Sequence, residues 1–215
     1  MQIEKVISLL KQKIKKWPTP IVTEVGQKRR DPFLVLISCI LSLRTKDETT
    51  RQASARLFKL ADSPQQMLKL STQKIQKAIY PVGFFRVKSK NILGISRDLI
   101  DKFAGKVPAD LDKLLTLKGV GRKTANLVLT EGFHKLGICV DTHVHRISNR
   151  LGYIKTRNPF ETEMVLRKKL PKRFWIEYNN LLVAWGQNIC KPVSPLCSIC
   201  SISKYCQRIG VKLHR

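Results

Sequence analysis

The chain has 215 residues, and a hydrophobic content of 43% supports one domain or two small ones with a substantial core. Lysine and arginine number 41 against 15 aspartates and glutamates, a formal net charge of +26 at pH 7. Such a charge opposes folding through self-repulsion unless a polyanion neutralises it, so the composition favours a nucleic-acid partner over a generic basic surface. The basic residues are spread along the chain, which disfavours a membrane surface.

No segment of the sequence predicts a membrane span or an export signal. The longest apolar stretch, residues 33–43, is too short to cross a bilayer and indicates a buried helix. Residues 1–17 carry charges throughout their apolar pattern and lack the apolar centre of a signal peptide. We therefore expect a cytoplasmic protein, associated with the nucleoid if DNA is its partner.

Helical periodicity runs through most of the chain, and no alternating strand pattern of useful length occurs. The first predicted helix ends at the sequence WPTP, residues 17–20. A buried helix is predicted over residues 32–43, with Asp31 as its N-cap and Pro32 at its first position. Further helices are predicted over 45–60, 71–82, 87–103, 111–117 and 122–133, followed by helical patterns up to a cysteine-rich tail.

A glycine loop, LKGVG at residues 117–121, joins two short helical segments. Its glycines permit positive φ and leave backbone N–H groups uncovered at the head of the next helix, which is a natural anion site. A DNA phosphate would fit that site whatever the base sequence of the DNA. The alternative is an ordinary helical corner with a glycine C-cap. The charge balance favours phosphate binding, with Gly119, Val120, Gly121 and Arg122 as the contacting residues.

Lys123 occupies the first turn of the next helix, where the helix dipole disfavours a cation. A lysine is a nucleophile only as the free amine, which is scarce at neutral pH when its pKa is near 10.4. Positive potential from the helix start and from Arg122, together with partial burial, would lower the pKa of Lys123. The alternative is a solvated lysine that contacts phosphate.

Asp141 follows an apolar stretch and precedes a helical pattern, so the sequence predicts that it is an N-cap. A cap can also be a catalytic group if its side chain points into a cleft. His143 and His145 do not share a helix face, which disfavours a metal site. We expect His143 to support the turn at Asp141.

Four cysteines within 17 residues indicate a metal centre, because disulfides are rare in an intracellular protein. The spacing alone leaves zinc and an iron–sulfur cluster open. Two further cysteines, Cys39 and Cys139, lie in apolar runs and are predicted to be core thiols. The four candidate ligands are Cys190, Cys197, Cys200 and Cys206.

The segments LKGVGRKTA (117–125) and VDTHVHR (140–146) together resemble the helix-hairpin-helix DNA glycosylases, and the cysteine tail makes the endonuclease III branch the most similar. The likeness runs from residue 31 to the last cysteine. It implies an all-α fold of two helical domains with the active-site cleft between them. Residues 25–135 would form a six-helix barrel with the helix-hairpin-helix at about 112–132, and residues 1–24 plus 136–215 the iron–sulfur domain. Lys118 departs from the family, which usually has proline there.

The resemblance implies a bifunctional DNA glycosylase and abasic-site lyase that excises oxidised pyrimidines such as thymine glycol. Lys123 matches the Schiff-base lysine, and Asp141 matches the aspartate that promotes departure of the base and stabilises positive charge on the sugar. The four cysteines would hold a [4Fe-4S] cluster. The implied partner is double-stranded DNA with damaged bases or abasic sites, bound by a monomer.

Two alternative functions remain open from the sequence. A monofunctional mismatch glycosylase of the same superfamily typically lacks the lysine found here at 123. A non-enzymatic helix-hairpin-helix DNA-binding protein would leave the presence of both Lys123 and Asp141 unexplained.

The resemblance also implies two residues that would occupy the gap left by a flipped nucleotide. Arg44 stands where the family usually has glutamine, and Phe84 matches a second wedge position. A phosphate contact is the alternative for Arg44, and core packing is the alternative for Phe84.

Overall fold

A computed structural model describes residues 2–215 as an all-helical protein, with no strand in that range. The predicted all-α class is confirmed. None of the helices within residues 2–215 is long and apolar enough to cross a bilayer. The helices are α1 (Ile3–Ile14), α2 (Ile21–Arg29), α3 (Pro32–Ser42), α4 (Asp47–Leu60), α5 (Pro64–Leu68), α6 (Thr72–Ile79), α7 (Phe85–Phe103), α8 (Leu111–Leu115), α9 (Arg122–Leu127), α10 (Thr142–Arg150), α11 (Pro159–Lys169) and α12 (Trp175–Asn188).

The chain divides into two compact units. One unit is Ile21–Lys135, and the other combines the chain up to Pro20 with Leu136–Arg215. The sequence predicts a boundary near residue 24, whereas the structure assigns all of α2 to the first unit. The reason is that α2 buries Ile21, Val22 and Gly26 and packs along α3.

Helix α3 is the centre of the unit Ile21–Lys135, because every residue from Phe33 to Leu41 is buried. Around it pack α2, α4, α7, α9 and a π-helical turn, Val128–Gly132, that continues α9. The carboxylate of Asp31 accepts hydrogen bonds from the backbone N–H groups of Phe33 (2.7 Å) and Leu34 (3.2 Å). The predicted cap at Asp31 is therefore confirmed, and Pro32 is at the first helical position.

The second unit has a core of its own, in which α1 packs along α12 and α12 along α10. Helix α1 buries Ile3, Val6, Ile7 and Leu10, which recur at helical spacing. The rings of Trp17 and Trp185 extend this core, with their centroids 5.5 Å apart. The elements that carry Asp141 and the four tail cysteines thus belong to one packed body.

Two helical glycines are expected to respond in opposite directions to alanine substitution. A Cβ at Gly26 would lie 2.6 Å from the carbonyl oxygen of Glu131, whereas a Cβ at Gly94 in α7 meets nothing within 4 Å. Gly26→Ala should lower the free energy of unfolding by about 1–3 kcal/mol through overpacking. Gly94→Ala should raise it by up to about 1 kcal/mol, the helix-propensity difference. Denaturant unfolding checks both, and equal stability of the two variants would contradict the packing of α2 described here.

Candidate active site and cysteine centre

The hairpin between α8 and α9 is closed by a hydrogen bond from the Val120 N–H to the Leu117 carbonyl, 3.0 Å. Gly119 has φ +82°, in the left-handed region that favours glycine, and an added Cβ would lie 2.9 Å from Asn91 Nδ2. Gly121 has φ −98°, and an added Cβ there meets nothing within 4 Å. Positive φ is therefore used at Gly119 and not at Gly121. Neither the backbone conformation nor packing within the described chain requires glycine at 121, so its effect is to leave the backbone uncovered.

The glycine at 121 is also the N-cap residue of α9 and offers no side chain to accept hydrogen bonds from the first turn. The N–H groups at a helix start carry a partial positive charge and bind anions. Arg122, half-buried at the first helical position, adds a full positive charge to the same turn. Phosphate binding at this turn stays a prediction, and the alternative is a helical corner with a glycine C-cap.

Lys123 is half-buried, the second residue of α9, and lies within electrostatic reach of the α3 core. Burial raises the pKa of the Cys39 thiol to about 12, the Lys123 ammonium acts to lower it, and the buried Glu131 carboxylate acts to raise it. A lysine amine held near a buried apolar wall is easier to deprotonate than one in water. The lowered pKa expected for Lys123 stays a prediction. Cys39 and Cys139 are both buried thiols, as predicted.

Asp141 caps α10. Its Oδ1 accepts hydrogen bonds from the backbone N–H groups of His143 and Val144, each 2.9 Å. Both bonds go to the same oxygen, so Oδ2 takes no part in the cap. The prediction of an N-cap is confirmed, and the geometry leaves one carboxylate oxygen for another function.

His143 packs against α12 and contacts an arginine that reaches the cysteine tail. A Cβ at Gly186 would lie 2.2 Å from His143 Nδ1, so glycine is needed for this close approach. His143 Nδ1 lies 3.1 Å from Arg146 Nη2, and that nitrogen also donates to the Cys190 carbonyl at 2.8 Å. The turn at Asp141 is therefore connected to the first tail cysteine through His143 and Arg146. Sequence reasoning did not identify Arg146.

The four tail cysteines are half-buried free thiols that line one pocket together with apolar side chains of α10 and α12. Arg150 Nη1 donates to Cys190 Sγ at 3.4 Å, and the Arg208 N–H donates to Cys206 Sγ at 3.4 Å. Within residues 2–215, no three His, Cys, Asp or Glu side chains are gathered in the arrangement of a metal site. The pocket thus brings the four thiols to a common space without closing them into a ligand set.

The surroundings of these thiols suit a sulfur-ligated centre. Burial raises the pKa of the Cys200 and Cys206 thiols, so deprotonated sulfurs here need a positive partner. The buried indole N–H of Trp185 points toward Cys200 and acts to lower the pKa of that thiol. N–H donors beside a cysteine tune metal-bound sulfur. Four sulfur donors and neighbouring N–H groups are therefore present around one pocket, which is the donor chemistry that a thiolate-ligated centre requires.

Arg44 and Phe84 lie next to each other in the structure, although they are 40 positions apart in the chain. The guanidinium carbon of Arg44 lies 5.6 Å from the centroid of the Phe84 ring. Both residues have left-handed backbones, with φ 52° and φ 58°, which is uncommon for residues other than glycine. The Phe84 side chain is 60% exposed, so the alternative of core packing is wrong.

The fold and these residues define a helix-hairpin-helix DNA repair protein. The family model "HhH-GPD superfamily base excision DNA repair protein" matches residues 37–172, and the chain belongs to that superfamily. It is 49% identical over 182 residues to endonuclease III of Thermotoga maritima, an alignment that covers 85% of each chain.

Solved structures give the same grouping. A trapped endonuclease III–DNA covalent intermediate superposes with TM-score 0.85 at 32% identity, covering 96% of this chain and 95% of that one. A thermostable thymine-DNA glycosylase superposes with TM-score 0.83 at 24% identity, covering 95% of each chain. The second likeness shows the fold alone, so the fold by itself does not distinguish between the two kinds of glycosylase.

Substitutions at Asp141 should separate its capping role from its charge. Asparagine caps as well as aspartate, whereas alanine cannot accept the two hydrogen bonds. Asp141→Ala should lower the free energy of unfolding by about 1 kcal/mol, and Asp141→Asn by clearly less. Denaturant unfolding of the two variants checks this, and equal losses would show that the cap bonds contribute nothing.

Proposed function

We propose that this protein is a bifunctional DNA glycosylase and abasic-site lyase of base excision repair. The observation that carries the proposal is a half-buried lysine, Lys123, at the start of the helix that follows the glycine hairpin. The 49% identity to an endonuclease III supports it, and so does the likeness to a structure in which such an enzyme is covalently joined to DNA. We infer oxidised pyrimidines in double-stranded DNA, such as thymine glycol, as substrates of a monomeric enzyme acting in the cytoplasm.

DNA binding would be mainly electrostatic and independent of sequence. The uncovered backbone at Gly119–Gly121 and the first turn of α9 would hold a phosphate, with Arg122 adding charge. The net charge of +26 provides long-range attraction to the duplex. Arg44 and Phe84 would occupy the space vacated when the damaged nucleotide leaves the stack. His143 would support the site through its contacts to Arg146 and the Asp141 turn.

The chemistry begins when the free amine of Lys123 attacks C1′ of the flipped nucleotide. The bond between C1′ and the base breaks, and the base leaves with the electron pair and takes up a proton. The Asp141 carboxylate stabilises positive charge on the sugar and accepts the proton that the lysine nitrogen loses. The sugar ring opens to an imine with Lys123. Loss of a C2′ proton then expels the 3′ phosphate by β-elimination, which breaks the strand 3′ to the lesion, and water releases the lysine.

We propose that Cys190, Cys197, Cys200 and Cys206 hold a [4Fe-4S] cluster, and that the two compact units correspond to the barrel and cluster domains. The cluster would cross-link the tail and has no part in the steps above. Arg150, Arg208 and Trp185 would direct N–H groups toward its cysteine sulfurs. The structural connection from Cys190 through Arg146 to His143 means that an intact tail also supports the Asp141 turn.

Lys123 discriminates this function from its alternatives. A monofunctional mismatch glycosylase would not need a nucleophilic amine, and a non-enzymatic binding protein would form no covalent bond to DNA. The fold likeness to a thymine-DNA glycosylase leaves that choice to the chemistry of residue 123.

Borohydride trapping tests the covalent step. Wild-type protein incubated with duplex DNA containing thymine glycol or an abasic site should form a stable adduct in the presence of borohydride, because the reagent reduces the imine. Lys123→Gln should abolish the adduct, and the exposed Lys113→Gln on α8 should retain it. The absence of an adduct with wild-type protein on both substrates would overturn the proposal.

Absorption and metal analysis test the cysteine centre. The purified protein should show a band at roughly 400 nm from sulfur-to-iron charge transfer, whereas zinc is colourless. Cys200→Ser should lose the band, and Cys39→Ser, which changes a core thiol, should keep it. If the wild-type protein is colourless and carries one zinc ion per chain, the cysteines hold zinc and the cluster proposal is wrong.

A further inference from the structure

The end of α3 and the start of α7 are joined by one buried ammonium group. Lys88 lies one turn into α7, and only 5% of the residue is exposed. Its Nζ donates to the carbonyls of Leu41 (2.8 Å) and Leu43 (2.5 Å) and to Thr45 Oγ1 (3.2 Å). An ammonium group has three donors, and three acceptors surround this one.

These contacts hold the turn that carries Arg44. The Leu41 carbonyl belongs to the last turn of α3, where backbone acceptors have no helical partner, and the Leu43 carbonyl belongs to the C-cap residue that follows. Lys88 donates to both. Thr45 Oγ1 accepts from Lys88 and also from the Gly83 N–H, at 3.2 Å. Acceptors on both sides of Arg44 in the chain are thus bound to the same ammonium group.

The same lysine is also fixed to Phe84. The Lys88 N–H donates to the Phe84 carbonyl at 3.0 Å, as the first backbone bond of α7. A Cβ at Gly83 would lie 2.7 Å from the Arg44 carbonyl oxygen, so the two loops touch along their backbones. Lys88 therefore spans the loop of Arg44 and the loop of Phe84, whose side chains meet at 5.6 Å.

A buried ammonium group at this position stabilises the fold less than an apolar side chain would. Lys88 shares a helix face with Ile92, Ile95 and Leu99, all fully buried, where an apolar residue would pack without desolvating a charge. Burial lowers the pKa of Lys88 to about 8, which reflects that desolvation. The hydrogen bonds of the charged group fix the turn between residues 41 and 45.

We propose that Lys88 is a positioning residue for nucleotide extrusion, which fixes Arg44 and Phe84 as a single preassembled wedge. This inference rests on the proposed function, in which Arg44 and Phe84 enter the duplex. Because both left-handed residues are held before DNA binds, the protein avoids ordering two loops at the moment of flipping. Loss of the clamp slows extrusion and leaves the chemistry of an already extruded sugar unchanged.

The test compares two substrates that differ in their need for extrusion. Lys88→Met removes the three hydrogen bonds at similar volume. It should slow strand cleavage at thymine glycol in duplex DNA by about tenfold or more, the order expected for loss of a buried charged hydrogen-bond set. Cleavage of an abasic site in single-stranded DNA, which requires no extrusion, should change less than about twofold. A 2-aminopurine placed opposite the lesion should show a slower fluorescence rise on binding.

Three further variants make the result specific. Thr45→Val removes the hydroxyl to which both Lys88 and Gly83 donate. It should also slow cleavage of the duplex substrate more than cleavage of the single-stranded one, by a smaller factor than Lys88→Met does. The double variant should fall short of the product of the two single effects, because both residues belong to one contact set. Lys90→Met removes the exposed lysine two positions later in α7 and should show no split between substrates.

The positioning role would be overturned if Lys88→Met slowed cleavage of both substrates equally, or if it slowed cleavage of neither. If Lys88→Met does not fold, Thr45→Val alone decides, and a Thr45→Val rate equal to wild type on duplex DNA would overturn it. Wild-type protein that forms no borohydride adduct contradicts the proposed function instead, so the two failures are distinguishable.

Discussion

Helix α3 imposes the constraint on which the rest of its unit depends. The helix is buried along its length, so the backbone groups at both of its ends must find partners inside the protein. Asp31 satisfies the first turn with a carboxylate, and Lys88 satisfies the last turn with an ammonium. The two charges match the two ends of the helix dipole. Loss of either would leave buried backbone groups without partners.

The functional residues of this unit are arranged around that helix. Cys39, in the second half of α3, lies within electrostatic reach of Lys123, and α9, which carries Lys123, packs against α3. The turn that follows α3 carries Arg44 and meets Phe84. One buried helix therefore sets the environment of the proposed nucleophile and the position of the proposed wedge. In the other unit, Asp141 caps α10 and is also the proposed acid–base group.

Features that depend on neighbouring residues in the chain could be predicted from the sequence. Features that depend on contacts between distant residues could not. The cap at Asp31, the cap at Asp141 and the buried helix 32–43 follow from short-range chemistry. Helix α2 was not predicted, because its β-branched residues and Gly26 are poor helix formers that become helical by packing on α3. The contact between Arg44 and Phe84 joins loops 40 positions apart, which periodicity cannot show. Lys88 could have been identified, since it falls on the apolar face of α7.

Lys123 is the proposed nucleophile, and the most direct test locates the covalent bond itself. Borohydride-trapped protein–DNA adduct can be digested with protease and nuclease, and the modified peptide sequenced by mass spectrometry. A single sugar-derived modification is expected, on the side-chain nitrogen of Lys123. A modification on a different lysine or on the N-terminal amine would contradict it.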